Sequence, residues 1–150
     1  MAIDTDTKVF RILYILVLGI ALLFVAACDE QTPAERSVLY ARYCHGTIRC
    51  VACLEIEEMA RQAIEFDFSE QIRDGLIVWE SIDYDLEVNS HYKTDYELPY
   101  PSLVLVFMKG EHTIEWKRMD RTWDLVDEPV KLKEYILNET RMMFRKISGL

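Results

Sequence analysis

The feature that most constrains this chain is a buried-strand pattern that runs into a pair of cysteines at the head of an amphipathic helix. Val38 to Cys44 is apolar, β-branched or aromatic enough for a buried strand, and His45-Gly46-Thr47 breaks it. Cys50-Val51-Ala52-Cys53 follows, and from Val51 onward Leu54, Met59, Ala63 and Ile64 recur at helical spacing among Glu55, Glu57, Glu58, Arg61 and Gln62. Two sulfurs three residues apart on a first helical turn can close a disulfide without moving the backbone. Only a thiolate attacks, and the free N–H groups and dipole of the helix start favour that charge on Cys50. Arg49 adds a positive charge beside it. Cys50 is therefore expected to be the attacking thiol, with a pKa below the free value of about 8.5, and Cys53 the resolving one.

The remaining elements follow in order. The helix, or a pair of helices joined near Phe66 to Phe68, is expected to stop at Gly75. Leu76 to Ile82 reads as a strand, Asn89 to Tyr96 as a polar stretch with a turn of helix, and Ser102 to Met108 as an apolar strand buried on both faces. Lys109-Gly110 predicts a hairpin turn into His112 to Arg118. Asp127 can cap a last helix with Pro129 in its first turn and Leu132, Ile136, Met143 and Ile147 along one side. The order β-α-β-α-β-β-α predicts an α/β domain. Two βαβ crossovers, each joining parallel strands, would precede one antiparallel hairpin, giving a four-stranded mixed sheet with helices on both faces. Trp116, Trp123 and Met142-Met143-Phe144 read as core packing rather than a partner surface.

Residues 1–28 stand apart from this domain. Ile12 to Ala27 is uncharged and apolar, preceded by Lys8 and Arg11 and closed by small residues before Cys28, which is the form of an export signal. Val25-Ala26-Ala27-Cys28 resembles a bacterial lipobox, in which the cysteine becomes the lipidated first residue. That implies anchoring through acyl chains on Cys28, while an uncut membrane anchor and ordinary cleavage remain as alternatives. Asp29 resembles the signal that retains lipoproteins at the inner membrane facing the periplasm. Residues 29–37 form a linker and 38–150 the folded domain.

The net charge of −9 over 150 residues disfavours wrapping nucleic acid, which needs a basic stripe, and no basic patch of that kind appears in the sequence. A lone C-x-x-C is also half of a zinc ribbon, but no second pair follows Cys53, and His45, His91 and His112 do not form one. A three-thiol site from Cys44, Cys50 and Cys53 for a soft metal or metalloid stays open beside the redox reading, as does a permanent structural disulfide. Cys44 reads as a buried strand residue. Disulfide chemistry on side-chain sulfur requires no cofactor and no resident metal.

Arg49-Cys50-Val51-Ala52-Cys53 after a buried strand, together with Pro101-Ser102-Leu103-Val104-Leu105-Val106 before Lys109-Gly110, resembles the thioredoxin superfamily over roughly residues 38 to 147. The resemblance implies a thioredoxin-like fold and a cis Tyr100–Pro101 bond lying against the dithiol where substrate peptide docks. His45-Gly46-Thr47 and Trp116 through Asp120 to Trp123 are similar to the small exported bacterial thioredoxin-like proteins of the ArsF type, nitrophenyl-compound nitroreductase subunits. Here Arg49 stands where that superfamily commonly has tryptophan, and the Val-Ala dipeptide leaves the redox direction open. Counting back to the position of the superfamily's buried acid lands on Cys44, and its first strand and helix are missing. The function implied is a membrane-tethered thiol–disulfide oxidoreductase acting on exported proteins and served by a membrane electron donor, with the reducing direction slightly favoured. The alternatives are a redox subunit of one particular enzyme and a metal-binding module.

Overall fold

The computed structural model describes residues 36–148. The lipobox, the apolar run before it and the linker residues preceding Arg36 lie outside the described residues. Strand β1 (Ser37–His45) leads through a short loop to helix α1 (Val51–Asp67) and the single turn α2 (Ser69–Arg73). The chain reverses at Gly75, whose φ of +66° lies in the left-handed region that glycine enters without strain. Strand β2 (Ile77–Asp83), a 3₁₀ turn (Glu87–Asn89) and the four-residue helix α3 (Tyr92–Asp95) follow. Strands β3 (Ser102–Lys109) and β4 (His112–Arg118) form the expected hairpin, with Gly110 at φ +59° in its turn. A second 3₁₀ turn (Asp120–Thr122) precedes helix α4 (Pro129–Ser148).

The sheet order is β2-β1-β3-β4. β1 is parallel to β2, with Leu39 beside Ile77 and His45 beside Asp83, and antiparallel to β3, with Cys44 opposite Ser102. The mixed four-stranded sheet is as expected, but only one parallel crossover exists. A second would need a helix to carry the chain back along the sheet. The connector between Asp83 and Ser102 contains only a 3₁₀ turn and α3, so it stays at one end and β3 runs in reverse.

Helices on both faces hold only in a reduced sense. One face of the sheet, through Leu39, Ala41, Tyr43, Leu103 and Leu105, packs against Ile56, Ala60 and Ile64 of α1 and Leu132, Ile136 and Met143 of α4. The other face carries Cys44, Val104 and Val106, and the connector covers it with Tyr84, Tyr92, Tyr96 and Leu98. Arg42 on this face is tied to Glu80 at 2.6 Å and to the Tyr96 hydroxyl at 2.6 Å, with Tyr40 stacked over its guanidinium. Leu103 to Val106 are all fully buried, as the unbroken apolar run requires of a strand covered on two sides. Each such side chain is worth about 1.5–3 kcal/mol over its exposed state. Trp116 and Trp123 pack against the two cores, Met143 is buried, and Met142 is exposed.

Candidate active site

Residues 46–49 turn the chain from the end of β1 into α1. The Thr47 backbone N–H donates to Asp85 at 3.0 Å and the Thr47 hydroxyl to Asp83 at 2.7 Å, so both acids at the end of β2 hold the loop. A Cβ on Gly46 would stand 2.7 Å from the Asp85 carboxylate, which explains glycine there.

Cys50 is the N-cap of α1, with extended backbone angles of φ −82° and ψ 163°. Its Sγ accepts the Cys53 backbone N–H at 3.1 Å, where a serine or aspartate oxygen more commonly sits. The two sulfurs are joined in a disulfide, with their Cα atoms 5.0 Å apart. Cys50 is exposed, whereas Cys53 is buried at 4% exposure. When the disulfide opens, the N–H that caps the helix also stabilises a Cys50 thiolate. Beneath the pair, the fully buried Tyr43 hydroxyl donates to the Cys53 carbonyl at 2.8 Å. Burial pushes the Tyr43 phenol up, which keeps it a donor.

Arg49 does lie beside Cys50 in sequence, but its guanidinium is paired with Glu57 in a mostly buried ion pair and rests 5.6 Å from the Tyr43 ring. Its Nε is buried without a partner among the described residues. The positive charge expected to serve the Cys50 thiolate alone is therefore shared with a carboxylate. Glu57 is also bonded to the Ser81 hydroxyl, and Ser81 lies 3.1 Å from His45 Nε2. The line His45, Ser81, Glu57, Arg49 thus runs from β1 across β2 to the head of α1. Sequence reading missed it because Glu57 stands among the solvated glutamates of α1 and His45 looked like a strand breaker. The usable signal was spacing, since Glu57 follows Cys53 by four and Cys50 by seven and shares their face of the helix.

Ile48, Val51 and Leu54 around Cys50 are exposed by 93%, 73% and 50%. Val51, Leu54 and Met59, flanked by Glu55, Glu58 and Gln62, line a hollow of about 380 Å³ beside the dithiol.

Compared with known proteins, the chain matches no family model and no curated protein.

Pro101 precedes β3 at the same end of the sheet as the dithiol loop, but no cis peptide bond occurs among the described residues, so the expected cis Tyr100–Pro101 bond is trans. The bend that carries this bond is tied down by its own neighbours. The Trp123 indole N–H donates to the Pro101 carbonyl at 2.8 Å, and the Ser102 hydroxyl donates to the Tyr100 carbonyl at 2.9 Å. Cys44 is fully buried in the core on the sheet face opposite the long helices, and burial pushes its thiol up to about 12. No cluster of three His, Cys, Asp or Glu side chains suited to a metal occurs among the described residues, so the three thiols are not brought together.

Proposed function

We propose that this chain is a membrane-tethered thiol–disulfide oxidoreductase of thioredoxin-like type, acting through Cys50 on exported proteins, with the reducing direction preferred and a membrane electron donor restoring the dithiol. The observation that carries the reading is the asymmetry of the pair. Cys50 is exposed at a helix N-cap with a backbone N–H aimed at its sulfur, while Cys53 is buried one turn in. An attacking thiolate needs access and charge stabilisation, and a resolving thiol needs to stay silent until a mixed disulfide forms. The exposed rim of Ile48, Val51 and Leu54 offers apolar contact to a partner segment.

The reaction begins when the Cys50 thiolate attacks a partner disulfide. The partner's S–S bond breaks and its second sulfur leaves as a thiolate while the first joins Cys50 in a mixed disulfide; Cys53 then attacks Cys50 Sγ, closes the Cys50–Cys53 bond and releases the partner's remaining sulfur as a thiolate. A Cys53→Ala variant cannot complete the second step. Expressed in a bacterial cell, it should accumulate adducts with exported proteins that dissolve on adding reductant. Their absence, with Cys50 shown to be free and labelled, would reject the reading.

A further inference from the structure

Ile48, Val51 and Leu54 each leave a large apolar side chain in water beside Cys50. A single exposed apolar residue needs no explanation, but these three adjoin one thiol, and Val51 and Leu54 open into the hollow of about 380 Å³ on α1. The far wall of that hollow, Met59 and Gln62, is shared with a second hollow of about 600 Å³ that reaches Phe66, itself 81% exposed. The apolar surface therefore continues along the helix instead of stopping at the dithiol.

The charges bordering this surface do not cancel. Glu55 is exposed and has no ion-pair partner among the described residues. Arg61 is held between Glu58 and Glu65, so that group of three keeps one negative charge in excess. Asp83 and Asp85, which hold the loop before Cys50, face the single cation Lys93. Arg49 is neutralised by Glu57. Each of these groups is neutral or negative, and the hollow nearest the dithiol is walled by Glu55 and Glu58 with no cation.

We propose that this face of α1 receives the polypeptide on which Cys50 acts, and that it selects a segment with an apolar residue next to the partner's cysteine and a lysine or arginine two to four positions away. The inference rests on Cys50 being the attacking thiol of a redox pair and names the class of partner it attacks. The spacing follows from geometry. Glu55 and Glu58 stand five and eight residues along the helix from Cys50, about 8 and 12 Å at about 1.5 Å per residue. An extended segment advances about 3.3 Å per residue, so its cation meets them two to four residues from its cysteine. Two copies of this face would bring like charges together, and an anionic lipid surface would meet the same carboxylates, so neither suits it.

The test uses the reduced full-length protein in detergent, carrying Cys28→Ala so that no thiol outside the described residues reacts. The probes are synthetic peptides with one cysteine, held as a disulfide with 5-thio-2-nitrobenzoate. The Cys50 thiolate attacks the peptide's sulfur, a Cys50–peptide S–S bond forms, and the peptide–nitrobenzoate bond breaks with its electron pair on the coloured thiolate, whose release is timed. Each rate is divided by the same variant's rate with iodoacetamide, a small neutral reagent, so that altered thiolate reactivity cancels. The protein should react roughly tenfold faster with a Leu-Cys peptide bearing lysine three positions from the cysteine than with its glutamate counterpart at low salt, and the two rates should converge near 1 M salt. Moving the lysine to the far end of the peptide should lose most of that gain, and replacing the leucine by serine should slow both peptides. Glu55→Lys should abolish the preference and Glu55→Gln reduce it. Glu111→Lys makes the same change of net charge in the exposed β3–β4 turn, at the other end of the sheet, and should keep the preference. Equal rates for the lysine and glutamate peptides, or a preference that survives Glu55→Lys or vanishes in Glu111→Lys, would overturn the proposal. The coloured disulfide reacts with any accessible thiol, so these rates are measurable whether or not exported proteins are substrates. Empty traps with Cys53→Ala therefore remove the oxidoreductase reading, and equal peptide rates remove the selectivity alone.

Discussion

Cys44 and Cys50 belong to one strand-turn-helix unit yet differ in everything that governs a thiol. Cys50 is exposed and capped by an N–H, whereas Cys44 is enclosed by Ile82, Tyr84, Tyr96 and Val104 with its thiol pushed up to about 12. In the reduced protein Cys50 should alkylate near neutral pH, with Cys53 and Cys44 silent until the chain unfolds, as peptide mapping across a pH series would show. Arg49→Ala should shift the Cys50 profile only modestly, because Glu57 already compensates the charge. Cys44 also couples folding to pH. The folded thiol keeps its proton to about 12, whereas the unfolded one loses it near the ordinary value of 9.0. Stability from this group is full below about 9 and falls as pH rises toward 12. Burial raises Tyr43, Tyr84 and Tyr96 in the same direction. Urea midpoints should decline between pH 8.5 and 11, less steeply in Cys44→Val. At this scale the C-x-x-C was legible because spacing alone brings the sulfurs together. The Glu57 line was not, because its partners His45 and Ser81 come from two other strands.

Among the elements, strands and helices were legible from apolar periodicity, and β3 was the plainest of them. Its direction was not, since an apolar run reads the same either way. The clue lay in the connector from Tyr84 to Pro101, which has no helix long enough to recross the sheet. Two substitutions test what locks these elements. Gly75→Ala places a Cβ at φ +66° and 2.8 Å from the Arg36 guanidinium, and should cost about 1 kcal/mol in denaturant titration. Trp123→Phe removes the indole N–H from the Pro101 carbonyl while keeping most of the packing. It should cost about 1 kcal/mol and leave Cys50 alkylation unchanged. A change in Cys50 reactivity would mean that the segment before β3 shapes the site despite its trans bond.

For the whole molecule, Val25-Ala26-Ala27-Cys28 predicts that the protein incorporates labelled fatty acid and that Cys28→Ala abolishes the label; an unlabelled wild type would favour an uncut anchor or simple cleavage. Among the described residues no helix is long and apolar enough to cross a membrane. The path of β1 has its own consequence. The strand runs from Ser37 to His45, about 27 Å at about 3.3 Å per residue, and the dithiol follows its far end. The described chain therefore enters the sheet at one end of β1, and the reactive sulfur follows the other. Shortening β1 would cost the sheet a strand paired on both edges, so the fold itself sets the distance between the chain's entry and the sulfur.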